Sequence, residues 1–168
     1  MREIAFGSLA SLAVHVAGAA LALEAAGHHG LEKCAQLIEK TAKDEIGEYQ
    51  PQVGPFPEWS PLADATVADR VAKGYAADEP LLRTGELRDS IKHEVHGLEA
   101  MVGSTSNIAA YQEFGTAKIP PRPFIGPAAF RNAEKIKRIV GAVALHTLEY
   151  GSSGALALLA IDTEVNHV

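Results

Sequence analysis

The chain has 168 residues, a length typical of one compact domain of about 100–200 residues. Its residues are 47% hydrophobic and 21% charged, which excludes an intrinsically disordered protein and predicts a buried core. The formal net charge of −6 excludes a uniformly basic nucleic-acid-binding surface and leaves room only for a local basic patch.

Apolar residues recur at spacings of three and four near the start of the chain, which predicts a helical arm over residues 1–47. Two glycines flank His28 and His29, and each weakens helix propensity by about 1 kcal/mol. The arm is therefore either one kinked helix or two helices. Gly47 follows the last apolar position and is expected to end the helix. Cys34 is the single cysteine, so the chain can form no internal disulfide.

The stretch from Phe6 to Ala26 has Glu24 as its single formal charge and is long enough to cross a membrane. Small and polar residues interrupt it, and its alanines contribute little free energy of insertion. A signal peptide fits poorly because Glu3 offsets Arg2 in the region that should be basic. We expect no membrane partner, and a membrane-anchored or exported small protein is the alternative.

Four prolines between residues 51 and 61 predict an extended loop, because each removes a backbone donor and fixes its own φ angle. Trp59 lies in this loop and is expected to fold back onto the core as an anchor. A short helix is predicted from about Asp64 to Lys73, with Gly74 ending it.

Thr84 is expected to cap a short turn that carries Leu87 inward. Apolar and polar residues then alternate over residues 91–96, as in a half-buried strand. A turn at Gly97 would bring a second strand back beside the first, so a hairpin is predicted from Ile91 to Val102.

Tyr111 and Phe114 have helical spacing and are expected to pin a helical turn to the sheet, with a second proline-rich loop after Gly115. Pro127 is expected at the first position of a final helix that reaches Tyr150. The side chains expected to be buried by this helix are Phe130, Ala133, Ile136, Val140 and Val143.

These elements predict an α+β fold with a long N-terminal helical arm, a small antiparallel sheet and a packed C-terminal helix. One domain is expected over residues 1–150, with the helical arm at 1–47 and a motif-bearing core at 81–129. Residues 151–168 are expected to form a flexible link and a tail. For the apolar run from Ala155 to Ile161, a helix, a strand and a partner-bound tail all stay open.

No catalytic, metal or cofactor site is predicted. His93 and His96 have an odd separation in the predicted strand, so their side chains would lie on opposite faces. Ser152 and Ser153 lack the spacing of a nucleophile elbow, and no phosphate-binding glycine motif is present. A hydrolase using one of these serines is the alternative of the enzyme class.

Two motifs follow one another in the core. Residues 81–91 read Leu-Leu-Arg-Thr-Gly-Glu-Leu-Arg-Asp-Ser-Ile. The second motif has two parts. Residues 111–116 read Tyr-Gln-Glu-Phe-Gly-Thr, and residues 119–124 read Ile-Pro-Pro-Arg-Pro-Phe. Together they resemble the neck or tail-component family of tailed bacteriophages, which includes tail-completion proteins. With Trp59 added, a subunit-interface or structural role is expected for Leu82, Thr84, Gly85, Leu87, Ser90, Tyr111, Glu113, Phe114, Gly115, Thr116, Pro121, Arg122, Pro123 and Phe124.

The resemblance implies a structural protein of the head-tail connector and no enzyme. It implies a homo-oligomeric ring, hexameric or dodecameric, that contacts portal-side adaptor or stopper proteins and tail-tube or terminator proteins. DNA would pass through the centre without sequence-specific contacts. The implied location is the virion neck or tail, and the host cytoplasm during assembly. A tail terminator or minor tail-tube-associated protein is the alternative within this class.

Prolines on both sides of Arg122 are expected to hold it on a stiff, extended arm. Its guanidinium would then contact a carboxylate across a subunit boundary, with Glu113 as one candidate partner, or cap its own loop within the monomer. The sequence does not decide between the two. The helical arm and the apolar tail are expected to contact neighbouring subunits, because both carry more apolar surface than a small domain needs.

Overall fold

The computed structural model describes residues 8–145. In chain order they form α1 (Leu9–Glu45), α2 (Asp64–Ala72), α3 (Glu86–Asp89), β1 (Ile91–His96), β2 (Glu99–Ser104), α4 (Asn107–Phe114) and α5 (Ile125–Arg131). Residues 133–145 are also helical and are labelled α6. The two strands pair as an antiparallel hairpin, so the predicted α+β class is confirmed.

The chain divides into two compact units. Unit 1 contains the described residues up to Lys33, Val95–Glu99 and the described residues from Ile136 onward. Unit 2 contains Cys34–Glu94 and Ala100–Lys135, and therefore the whole of both motifs. The organisation as one domain over residues 1–150 stays a prediction, and the predicted link and tail at 151–168 lie outside the described residues.

Helix α1 is uninterrupted, so of the two alternatives for the arm the single long helix is the one observed. Its central glycines lie where other side chains approach closely. A Cβ added to Gly27 would lie 2.7 Å from Leu98 Cδ2, and one added to Gly30 would lie 2.9 Å from Val143 Cγ2. These glycines thus permit close packing within unit 1, and the helix continues through them.

The core of unit 2 joins residues that are far apart in the sequence. Phe124 and Ile91 are fully buried, each contributing about 1.5–3 kcal/mol relative to an exposed side chain. Along β1, burial alternates from Ile91 onward, as predicted for a half-buried strand. The cluster is completed by Ala42, Ile46, Trp59, Leu87, Ala109 and Ala128.

The predicted helix ends at Gly47 and Gly74 are observed, and both residues have positive φ angles of 109° and 77°. Helix α2 occupies the predicted segment. The Pro51 to Pro61 loop is also observed, with a single antiparallel bridge between Val53 and Phe56. Local sequence patterns therefore predicted these elements correctly.

The final helix differs from the prediction. It is divided at Asn132, whose side-chain amide donates to Thr41 Oγ1 and to the Ala128 carbonyl, both at 2.8 Å. Pro127 is the third residue of α5, not the first. Phe130 and Val140 lie on either side of this break and are exposed where burial was predicted. The Phe130 ring packs edge-on against Phe56 and does not enter the core. Tyr150 lies outside the described residues.

Candidate subunit-contact surface

Gly115 allows the second motif to reverse direction directly after α4. Its φ of 72° and ψ of 177° define a backbone region that is essentially restricted to glycine. A Cβ at this position would lie 3.0 Å from both the Ile119 carbonyl oxygen and Pro121 Cδ. Thr116 closes the turn, since its hydroxyl accepts from the backbone N–H groups of Lys118 and Ile119 at 3.2 and 3.1 Å. The loop is therefore tightly constrained.

Arg122 makes its contacts within its own chain. Only 6% of the residue is exposed. Its guanidinium donates to the Ser60 carbonyl at 2.9 and 3.2 Å and to the Pro61 carbonyl at 3.1 Å. Burial lowers the pKa of Arg122, and nearby Tyr49 acts in the opposite direction. The guanidinium thus joins its own loop to the first proline-rich loop, and the contact across a subunit boundary stays a prediction.

Glu113 caps the start of α5 and makes no hydrogen bond to Arg122 of its own chain. Its Oε2 accepts from the backbone N–H groups of Phe124 and Ile125 at 2.8 and 3.1 Å, and its Oε1 accepts from Gly126 at 2.9 Å. Three charge-assisted hydrogen bonds satisfy donors that a helix N-terminus otherwise leaves open. The carboxylate thereby fixes α4 relative to α5.

Trp59 ties the first proline-rich loop to the second. Its indole Nε1 donates to the Pro123 carbonyl at 2.8 Å, and the residue is buried in the unit 2 core, as expected for an anchor. Pro123 is buried as well, and Phe124 follows it into the core. Both loops are consequently held in place by long-range contacts.

The first motif is also fixed within unit 2. Thr84 Oγ1 accepts from the Glu86 backbone N–H at 3.4 Å, and Gly85 precedes α3. Leu87 lies in the core as predicted. The Ser90 hydroxyl donates to the Leu87 carbonyl at 2.6 Å. These contacts join the turn to the hairpin that follows it.

Arg70 is a structural residue that the sequence patterns did not reveal. It is 4% exposed, and its guanidinium donates to the carbonyls of Ala76 at 2.7 Å and Leu82 at 2.6 Å. The Leu82 side chain packs against the core. The neighbouring Arg83 pairs with Asp69 at 2.7 Å. Arg70 thus binds α2 to the first motif through the Leu82 carbonyl.

Tyr111 and Phe114 do not pin α4 to the sheet, contrary to the prediction. Both are exposed, and Phe114 has 82% of its surface accessible. The inward face of α4 is instead formed by Ala109 and by the polar contacts of Glu113. Ile108 is exposed too, so α4 presents an apolar row of three residues on a rigid support. Exposed aromatic residues of this kind are enriched in protein interfaces.

A groove of about 630 Å³ lies beside this row within unit 2. Its apolar wall includes Leu62, Leu81, Leu87, Ile108, Ile119 and Pro120. Its charged lining consists of four basic residues, Arg70, Arg83, Lys118 and Arg122, and one acidic residue, Glu86. We refer to this feature as the motif groove, because both motifs contribute to it.

The phage virion morphogenesis family matches residues 14–143, which is most of the chain. The chain belongs to this family. No curated protein and no solved structure matches it. Family membership supports a structural role in virion assembly, not an enzymatic one, and a location in the virion.

Glu45 is a further buried polar residue of this virion morphogenesis protein. It is 3% exposed, and its Oε1 accepts from Arg131 Nη1 at 2.9 Å, whereas its buried Oε2 has no hydrogen-bond partner within residues 8–145. Burial raises the pKa of Glu45 to about 7, with Arg131 lowering it and Glu113 raising it. A buried acid of this kind cannot be recognised from local sequence.

The remaining predictions concern metals, membranes and catalysis. Across residues 8–145, no cluster of three or more metal-binding side chains is present. His93 contacts Glu39 through its Nδ1. None of the helices in the described part of the chain has the length and apolarity to span a bilayer. Ser152, Ser153 and the run from Ala155 to Ile161 lie outside the described residues.

Proposed function

We propose that this virion morphogenesis protein is a component of the head-tail connector, in the neck or at tail completion. In this proposal its copies form a closed ring through which DNA passes. The order and composition of the two motifs support this assignment, because they resemble the neck and tail-component family. The observation that carries it is the apolar row of Ile108, Tyr111 and Phe114 on the outer face of α4.

The row is supported by a rigid arrangement. Glu113 fixes one side of α4 to α5, and Gly115 fixes the turn that follows Phe114. A preorganised surface loses little conformational entropy when it binds, so more of its interaction free energy appears as affinity. Large apolar side chains on such a surface are suited to a permanent contact between virion subunits.

The acidic balance of the chain is compatible with a DNA passage. A net charge of −6 does not favour tight binding of a polyanion, so DNA would meet weak resistance while moving through. A closed ring requires head-to-tail interfaces, in which each copy uses one surface as donor and a different surface as acceptor. The row on α4 would supply one of these surfaces.

The direct test is a reconstruction of purified virions combined with a substitution in the row. Phe114→Ser is expected to reduce incorporation of the protein into particles at least tenfold, because a hot-spot aromatic residue contributes about 2 kcal/mol or more. Its unfolding midpoint in urea should stay near that of the wild type. Val71→Ser is the matched control, since Val71 is exposed on α2 outside the row, and it should be incorporated normally.

The reconstruction should show a symmetric ring of this chain at the junction of head and tail, with α4 in a subunit interface. A ring that forms the last layer of the tail tube, on the tube side of the junction, would assign the protein to the tail terminator instead. Absence of the polypeptide from purified virions, or a solvent-exposed Phe114 in the assembled particle, would overturn the proposal.

A further inference from the structure

The motif groove contains two buried positive charges without an acidic partner. Arg70 and Arg122 line the groove and are 4% and 6% exposed. Within the described part of the chain, each guanidinium donates to backbone carbonyls and neither forms an ion pair with a carboxylate. Burying a charge is costly unless it is paired, so these two residues favour a ligand that brings negative charge.

The rim of the groove strengthens this preference. Lys118 is exposed and forms no ion pair with any residue from 8 to 145. Arg83 lies nearby and is held by Asp69 at 2.7 Å and by the Tyr75 ring at 4.9 Å from its centroid. The lining thus has four basic residues and one acidic residue in a chain whose net charge is −6. The local charge is opposite to that of the molecule.

The wall of the groove indicates what else the ligand contains. Leu62, Leu81, Ile108 and Ile119 provide apolar contacts next to the basic residues. A volume of about 630 Å³ lies within the usual range of roughly 300–1,000 Å³ for binding pockets. Gln112 adds a buried side-chain oxygen without a hydrogen-bond partner in the described chain, and a backbone N–H could satisfy it. These features suit a short peptide segment with apolar residues followed by carboxylates.

Nucleic acid is the less favourable ligand. DNA binding depends on many phosphate contacts along an extended basic surface, whereas this groove combines few basic residues with an apolar wall. The net charge of −6 on the chain would also repel a polyanion. The chemistry therefore favours an acidic, partly apolar protein segment.

The chain itself contains such a segment. Residues 155–161 read Ala-Leu-Ala-Leu-Leu-Ala-Ile without a charge, and Asp162 and Glu164 follow directly. The Gly-Ser-Ser-Gly sequence at 151–154 has the composition of a linker. We propose that the motif groove of one copy binds residues 155–164 of a second copy, an inference that rests on the proposed ring. Asp162 and Glu164 would face the basic rim, and the apolar run would contact the apolar wall.

A second copy is the occupant that suits ring assembly. Closed rings need two different, complementary surfaces on each chain, and a tail segment with a receiving groove provides them. Exchange of tails around the ring would link every copy to the next. Charge complementarity would also fix the orientation of the bound tail, because Asp162 and Glu164 are attracted to the basic rim of the groove.

The first test reverses one charge on each side, using the full chain and light scattering over a concentration series. Lys118→Glu and Glu164→Lys should each raise the concentration needed for half-assembly about tenfold, because each places like charges together. The variant with both substitutions should recover most of the loss. Lys40→Glu is the matched control, because Lys40 is an exposed lysine of α1 outside the groove, and it should assemble normally. Unaltered assembly of all variants would overturn the inference.

The second test locates the contact by disulfide trapping in a Cys34→Ala background. A chain with both Lys118→Cys and Glu164→Cys should give a ladder of cross-linked oligomers under oxidising conditions. A fast-migrating monomer with an internal disulfide would overturn the assignment to a second copy, as would the absence of any disulfide. If the isolated chain is monomeric, the same variant is oxidised within assembled virions and judged by the same products.

The outcomes separate this inference from the proposed function. A ring at the head-tail junction that forms without cross-links, and that tolerates Lys118→Glu, would overturn the groove assignment and leave the connector role intact. Absence of the protein from virions would overturn the connector role, whereas cross-linked oligomers of the isolated chain would still support the groove.

Discussion

The two units of the molecule use different means of stabilisation. Unit 2 has a core around Phe124 and Trp59, and its polar residues Glu113 and Arg122 make hydrogen bonds to distant backbone groups. Unit 1 is held by close approaches of small and aliphatic residues, as where Gly30 faces Val143. Seven large apolar residues in the described part of unit 1 are exposed, namely Val14, Val16, Leu21, Leu23, Leu98, Val140 and Leu145.

This difference indicates a division of tasks within the family fold. Unit 2 fixes its loops through hydrogen bonds such as those of Glu113 and Arg122, and it can therefore support a precisely shaped contact surface. Unit 1 exposes more apolar side chains than a monomer normally leaves uncovered, and it has an apolar groove of about 320 Å³ that includes Leu23 and Leu98. The expected consequence is that substitutions in the core of unit 2 lower the free energy of unfolding strongly, whereas substitutions at exposed positions of unit 1 do not.

The largest effect is expected for Phe124→Ala in unit 2. Removing this fully buried ring should lower the free energy of unfolding by about 3–5 kcal/mol, through lost apolar contacts and a cavity. Leu21→Ala in unit 1 is the matched comparison, since Leu21 is exposed, and its effect should stay within about 0.5 kcal/mol. Urea unfolding followed by circular dichroism measures both. Equal losses in the two variants would contradict the proposed difference between the units.

Glu45 predicts a pH dependence that arises in unit 2. Its pKa is raised to about 7 in the folded chain from an ordinary value of 4.5, so the folded state retains this proton longer than the unfolded state. Its contribution to stability is fully present below pH 4.5, is lost as pH rises through 7, and is constant above that. The free energy of unfolding that Glu45 contributes therefore falls by at most about 3 kcal/mol between these two pH limits.

Glu45→Gln isolates this contribution, because glutamine does not titrate. Urea unfolding at pH 5, 6, 7 and 8 should show that the advantage of the variant over the wild type grows with pH. Measuring the difference between the two proteins cancels the contributions of the ionisable groups that they share. A difference that is constant from pH 5 to pH 8 would show that Glu45 titrates normally.

The smallest expected changes in stability are those of two glycine-to-alanine substitutions in the unit 1 part of α1. Gly18→Ala should stabilise the helix by up to about 1 kcal/mol, because nothing lies within 4 Å of the added Cβ and alanine favours helix. Gly30→Ala should destabilise it by about 1 kcal/mol, because the new methyl would lie 2.9 Å from Cγ2 of Val143, a stiff β-branched residue. Thermal unfolding by circular dichroism measures the two shifts. Stabilisation by both substitutions would show that α1 does not depend on close packing at Gly30.

The elements that depend on short-range patterns could be predicted from the sequence. The alternation that begins at Ile91 identified the first strand, and the glycines at 47 and 74 marked two helix ends. Such features follow from periodicity and from backbone preferences of single residues. The inward position of Leu87 was predicted from the turn that Thr84 was expected to cap, and the anchoring of Trp59 from its aromatic side chain in a proline-rich loop.

The errors and omissions concern contacts between distant segments. Helical spacing placed Tyr111 and Phe114 on one face but could not show that this face points outward. Glu113 caps a helix that begins 12 residues later, and Arg122 binds a carbonyl 62 positions away, so neither partner can be identified locally. The packing role of Gly30 was missed, because its close neighbour Val143 is remote in sequence.

Trp59 makes the two units separable by spectroscopy. It is the single tryptophan of the chain and is buried in unit 2, where its indole is bonded to Pro123. Intrinsic fluorescence excited at the red edge of absorption will therefore follow the environment of unit 2 alone, while the ellipticity of the long α1 helix includes unit 1. Denaturation curves recorded with the two probes would diverge if the units lose their structure at different denaturant concentrations, and would superimpose if they unfold together.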